Sequence, residues 1–138
     1  MNASALALIG YIGWILVLLG AIAVVRLHAS MVGGKAANSF SPDGSDVSAF
    51  SGRLCRAHAN CYENFPQLGG LLLLALATNT TEITNPLALV LLAARVSQSG
   101  VHLFSTSETA VKVRFAFFLV QYGIALYWAF RFLNWFWV

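Results

Sequence analysis

Charge is what this sequence has least of. Lys, Arg, Asp and Glu make up 9 % of its 138 residues, against 59 % hydrophobic residues and a mean hydropathy of +0.74. A water-soluble domain carries about 25 % charged residues. So few charges cannot cover a surface that faces water, and a bilayer is the solvent this composition fits. The net charge is a modest +3, and no basic tract with interleaved aromatics is present, which argues against nucleic acid as a partner. Cysteine is scarce as well. Cys55 and Cys61 fall on one expected helix, about 120° apart in direction, and so cannot pair with each other there. No histidine or cysteine pair has helical ligand spacing with a supporting carboxylate, so no metal site is expected. The chain shows no phosphate loop, no Ser-His-Asp arrangement and no internal repeat.

Long apolar runs are what it has instead. Residues 5–25 form one long enough to span a bilayer, and the basic leader of a cleaved signal peptide is missing in front of it. A loop rich in Gly, Ser, Asn and Asp follows, with a turn at Ser41-Pro42-Asp43-Gly44 and Ser45 or Asp46 as the cap of the next helix. Pro66 is expected to bend that helix. Pro86 suits the first turn of a third helix, and Ser107 suits the cap of a fourth. Tyr127, Trp128, Trp135, Phe136 and Trp137 read as an interfacial aromatic belt. The fold class is therefore all-α, an integral-membrane four-helix bundle in a single domain over 1–138. Its helices are expected at about 4–28, 47–78, 86–104 and 109–137. Arg26, Lys35, Arg53, Arg56, Arg95, Lys112 and Arg114 all flank loops one and three, and only Arg131 lies toward the other side. The positive-inside rule then places four spans with both termini outside and loops one and three in the cytoplasm.

The few polar residues are not scattered. On the second helix Arg53, Arg56, Asn60, Glu63 and Gln67 share an arc of about 80°, while His58 points the other way. On the third, Arg95, Gln98, Ser99 and His102 share a face; on the fourth, Arg114, Phe118 and Gln121 line up. Arg95 lies about 13 Å along the helix from Pro86. An unpaired charge at depth costs about 2.5–3.5 kcal/mol, so Arg95 and Glu63 are expected to find partners, each other being one choice. The three stripes together imply a polar cavity with excess positive charge in the cytoplasmic half. Each has a structural reading beside the functional one. The second-helix stripe also serves as glue between helices, and Lys112 reads better as an interfacial anchor than as a site residue.

The run Arg53-x-x-Arg56-Ala57-His58-x-Asn60-x-x-Glu63-Asn64-x-Pro66 resembles the second-helix signature of the MAPEG family, the membrane-associated proteins in eicosanoid and glutathione metabolism. The resemblance covers nearly the whole chain. It implies a homotrimer that binds glutathione as co-substrate between neighbouring subunits. It also implies that Arg26, Arg56, Asn60, Glu63 and Arg95 contact the tripeptide, with Gln98 and His102 at third-helix positions where the enzymes usually carry Tyr or His. Arg114 matches the catalytic Arg that stabilises the thiolate. Phe115 and Phe118 stand where one enzyme branch has hydroxyls.

Two functions follow, separated by Arg114. The first is a membrane glutathione transferase or peroxidase acting on a lipophilic small molecule. The second is a non-catalytic lipid-binding or scaffold protein of the same fold, which would tolerate Arg114→Ala. A proton or ion pathway along Glu63, Arg95 and His102 is the weakest alternative, because nothing continues it across the apolar outer half.

Overall fold

The structure, a computed structural model, describes residues 1–137; the unit expected over 1–138 extends one residue beyond them. It contains four helices: α1 (Ala3–Met31), α2 (Ala49–Ala77), α3 (Asn85–Phe104) and α4 (Glu108–Trp137). No strand occurs among the described residues. α2 and α3 each touch all the other helices, whereas α1 and α4 do not touch each other. The molecule is thus built on a central α2–α3 pair flanked by the other two.

α1, α3 and α4 are long and apolar enough to cross a membrane. All four helices were candidates, but α2 is not among these three, because its polar stripe lowers its hydropathy. α1 shows how a membrane helix uses an apolar run. It buries only Ser4, Ala7, Tyr11 and Leu18, a narrow stripe at helical spacing, and turns Ile9, Leu16, Val17 and Val24 outward. Exposed apolar side chains in such numbers suit lipid as the surrounding medium.

The ends are fixed by polar contacts. Ser48, rather than Ser45 or Asp46, caps α2: its side chain accepts from the Ser51 N–H at 3.0 Å. Asp43 and Asp46 are occupied elsewhere. Asp43 Oδ1 accepts from the Ser41 hydroxyl at 2.6 Å and the Ser45 hydroxyl at 2.9 Å, and Asp46 accepts from Lys35 Nζ at 3.0 Å. Gly44 sits between them at φ +68°, where a Cβ would lie 2.7 Å from Ser51 Oγ and Cys55 Sγ. Ser107 caps α4, accepting from the Ala110 N–H at 3.2 Å. At the far end of the bundle, Ser4 Oγ meets Thr84 Oγ1 at 2.6 Å and donates to Asn85 Oδ1 at 2.8 Å, tying α1 to α3.

α2 continues through Pro66. The proline lacks an N–H to donate, and neighbouring side chains cover the carbonyls around it. Asn64 Nδ2 donates to the Asn60 carbonyl at 2.8 Å, and the Gln67 amide, turned to donate, lies 3.1 Å from the Asn64 carbonyl. Trp128 departs from the aromatic belt. It is fully buried in the core, while Tyr127 and Trp135 to Trp137 stay exposed.

Two predictions arise here. The Ser41 and Ser45 hydrogen bonds hold Asp43 below the usual carboxylate range, at about 2. A depressed carboxylate stabilises the turn above its ordinary value of 3.8, and that contribution is lost as pH falls toward 2. The protection factor of the Ser45 amide should therefore drop between about pH 4 and pH 2; constant protection to pH 2 would show the turn does not depend on Asp43. Arg53 Nε donates to the Leu103 carbonyl at 2.8 Å, in the last turn of α3. It thereby satisfies an orphan carbonyl at the negative end of the helix dipole. Arg53→Ala should cost about 1–2 kcal/mol in detergent unfolding, with Arg53→Lys recovering part of it; a loss below about 0.3 kcal/mol would remove the capping role.

Candidate functional site

Four of the expected site residues converge. Asn60 from α2, Gln98 and His102 from α3, and Arg114 from α4 line one cleft of about 370 Å³, with Phe115 and Phe118 on its apolar side. Stripes on three helices meet there because α2 and α3 are in contact and α4 packs on both.

Gln98 organises the α4 side. It is buried, donates to the Arg114 carbonyl at 3.2 Å and accepts from Gln121 Nε2 at 3.0 Å. Gln121 in turn donates to the Phe117 carbonyl at 2.9 Å. The two turns of α4 from Arg114 to Gln121 are therefore clamped to α3 through the Gln98 amide. This fixes where the Arg114 side chain starts. Arg114 is half-buried, and its Nε is enclosed without a partner among the described residues. A guanidinium N–H shut off from water and left unpaired is costly, so the arrangement favours an anionic group beside it.

Arg95 supports the α2 side. It is completely buried and donates through Nη1 to Asn60 Oδ1 at 2.7 Å. The anticipated pairing with Glu63 does not occur: the ion pairs among the described residues are Lys35–Asp46 and Lys112–Glu108. Asn60 lies three residues before Glu63, on the turn of α2 that meets Arg95 across the α2–α3 contact, and it reaches the guanidinium first. Tyr11 of α1, a residue with no expected role, completes the setting. Arg95 Cζ lies 5.5 Å from the centre of its ring, a cation–π contact, while its hydroxyl donates to the Cys61 carbonyl at 3.0 Å. Cys61 Sγ is itself 3.0 Å from Ser99 Oγ. A lone tyrosine inside the apolar first run was the available signal for this support.

The remaining candidates lie apart within one chain. Arg26 donates to the Ser41 carbonyl at 3.1 Å and lies over the Phe40 ring, so it braces loop one. Arg56 is exposed and lines a recess with Arg53 and the first residues of α2. Glu63 is exposed on the outer face of α2. Lys112 pairs with Glu108 one turn away at 2.8 Å on an open surface.

The geometry is thus a cleft in which Asn60, Gln98, His102 and one guanidinium, Arg114, face the apolar side chains of Val111, Phe115 and Phe118. It suits an anionic ligand whose reactive atom meets Arg114. Among sequence families, the profile of the MAPEG family matches residues 4–134. No curated protein and no solved structure matches the chain.

Proposed function

The chain belongs to the MAPEG family, and from that membership we propose that it is an integral-membrane glutathione transferase or peroxidase. The family includes glutathione transferases and related membrane proteins. The observation that carries the reading is Arg114, whose enclosed Nε has no partner and whose backbone is held by Gln98 at the edge of the cleft.

Glutathione carries two carboxylates and one amine. Arg56 and Glu63 suit its charged ends, and Asn60, oriented by Arg95, suits its peptide groups. His102 and Gln98 close the cleft around the cysteinyl part. Arg114 faces the sulfur. A guanidinium beside a thiol favours the anion. The thiolate then attacks an electrophilic carbon or a peroxide oxygen of a molecule dissolved in the lipid.

Arg26, Arg56 and Glu63 do not reach the cleft within one chain. A homotrimer with the tripeptide between subunits brings them to it, and it covers the exposed Arg56–Glu63–Gln67 face of α2, which lipid does not solvate. Native mass measurement in mild detergent should give three chains; monomers alone would remove the shared site. The topology that accompanies this reading has both termini outside and loops one and three cytoplasmic. A cysteine placed at exposed Ala37 should react only from the cytoplasmic side.

The direct test is thiolate absorbance near the ultraviolet edge, titrated against pH with glutathione bound. A thiol pKa lowered by about 1–2 units raises the thiolate fraction at neutral pH roughly eight- to twenty-five-fold. A thiol pKa equal to that of free glutathione would reject the mechanism. The second reading is then a lipid-binding scaffold, favoured by the full engagement of Gln98 in contacts between α3 and α4.

A further inference from the structure

A recess of about 630 Å³, larger than the cleft assigned to glutathione, shares no residue with it. It lies between the last turns of α1, loop one and the first turn of α2. Val24, Val25, Ala29, Val32 and Phe50 give it apolar walls, and His28, Lys35 and Asp46 line its polar end. The apolar run of α1 ends at Val25, with Arg26 next in sequence, and a run of that length matches the hydrocarbon core of a bilayer. The recess therefore straddles the level where hydrocarbon gives way to headgroups. Val24, Val32 and Phe50 are exposed along it.

Lys35 and Asp46 form an ion pair with two unused sides. Lys35 Nζ is 3.0 Å from Asp46 Oδ2, and the Ser41 N–H donates to the same oxygen at 3.0 Å. Among the described residues, no other residue donates to Asp46 Oδ1. An ammonium has three N–H donors, and Asp46 takes one of those of Lys35. The two side chains keep 27 % and 25 % of their surface exposed, so one ligand can reach the open oxygen and the open N–H groups together. The pair is held in place from behind. Lys35 Nζ lies 5.6 Å from the centre of the Phe40 ring, where Arg26 also rests at 5.5 Å.

We propose that this recess seats a zwitterionic glycerophospholipid whose head carries a primary ammonium. Its phosphate meets Lys35, its ammonium meets Asp46 Oδ1, and one acyl chain runs along Val24, Val25 and Phe50. The choice of head follows from the pair. One open cation beside one open anion is complemented by a ligand that carries both signs. A phosphate with a glycerol head satisfies Lys35 and leaves Asp46 without a donor of opposite charge. A quaternary ammonium has the charge but no N–H to donate. A fatty acid brings one carboxylate and nothing for Asp46. The wall runs about 12 Å along the helix from Val24 to Val32, and its apolar side chains leave peptide groups unpaired. The site uses neither Arg114 nor a thiol, so the proposal goes beyond the transferase reading and does not rest on it.

Native mass measurement of the full chain in non-ionic detergent tests the proposal, with dioleoyl phosphatidylethanolamine, phosphatidylcholine or phosphatidylglycerol as the titrant. One phosphatidylethanolamine per chain is expected, held about three- to tenfold more tightly than either of the others, the range of one hydrogen bond lost at a partly exposed site. Asp46→Asn keeps an acceptor for Lys35 and the Ser41 N–H and removes the charge. It should bring phosphatidylethanolamine down to the level of phosphatidylcholine. Ala29→Trp fills the recess from a position outside the lining of the glutathione cleft. It should abolish retention of the lipid while the melting temperature and glutathione binding stay at wild-type values. Equal retention of the three lipids would mean an ordinary lipid shell. Tighter phosphatidylglycerol would give the recess to positive charge alone, and unchanged retention in Ala29→Trp would place the lipid elsewhere. Each of these three results overturns the proposal.

Discussion

Arg114→Ala should lower turnover of glutathione about eight- to twenty-five-fold while changing its affinity by no more than about threefold. The asymmetry follows from where the side chain acts. A group that stabilises the thiolate works on the sulfur, and a one-unit rise in thiol pKa removes about nine-tenths of the reactive form at neutral pH. The peptide ends are held elsewhere and keep most of the binding energy. Arg56→Ala should invert the pattern, because a contact to a remote carboxylate contributes equally to ground and transition states. Steady-state kinetics with a generic lipophilic electrophile, paired with equilibrium binding of glutathione, read both quantities. Equal losses of affinity and turnover in Arg114→Ala would assign that residue to binding, and unchanged turnover would favour the scaffold.

Asn60→Ala should destabilise the protein by about 2–3 kcal/mol, more than its loss of contact area suggests. Its Oδ1 is 2.7 Å from Arg95 Nη1, and Arg95 already has two buried nitrogens without partners. Removing the amide leaves the guanidinium only a long 3.4 Å hydrogen bond to the backbone carbonyl of residue 60, in a place water does not reach, and truncating one member of a buried charged contact costs more than the contact contributes. Asn60→Asp provides the contrast. A carboxylate at the same reach pairs with the charge, so this variant should keep wild-type stability or exceed it while altering glutathione affinity. Unfolding in detergent, followed by helical ellipticity, checks both. A loss below about 0.5 kcal/mol for Asn60→Ala would mean that Arg95 is satisfied by other groups.

The helices were legible because their signal is long. Three apolar runs of this length admit one structure in a bilayer, and the boundaries needed only Ser107 and Pro86 as punctuation. The α2 cap was harder. Ser45, Asp46 and Ser48 are all capping residues within one turn, and the choice fell to Ser48 because Asp43 and Asp46 are engaged by Ser41, Ser45 and Lys35. The site was legible as three stripes, since helical phasing is local. Which stripe residues meet is not local. Whether Arg95 finds a carboxylate or an amide depends on the axial register of α2 against α3, and a shift of one turn would exchange Glu63 for Asn60. The same limit hid the Gln98–Gln121 clamp and the burial of Trp128, both of which depend on how α4 is rotated about its axis. Tyr11 could be placed on α1 from sequence, but its position beneath Arg95 required α1 and α3 to be in contact.

The interrupted polarity of α2 also bears on how the chain enters a bilayer during synthesis. α1 qualifies to insert by itself. α2 emerges next with Arg56, Asn60, Glu63 and Gln67 on one side, and it falls short of that hydropathy. The guanidinium that meets Asn60 belongs to α3 and leaves the ribosome later. α2 must therefore be held in an unfinished state, leaning on the already inserted α1 that packs along it, until α3 arrives. Assembly of this protein is accordingly a problem of timing between neighbouring segments, and a chain halted after α2 has emerged and before α3 has followed would be stranded at its most vulnerable point.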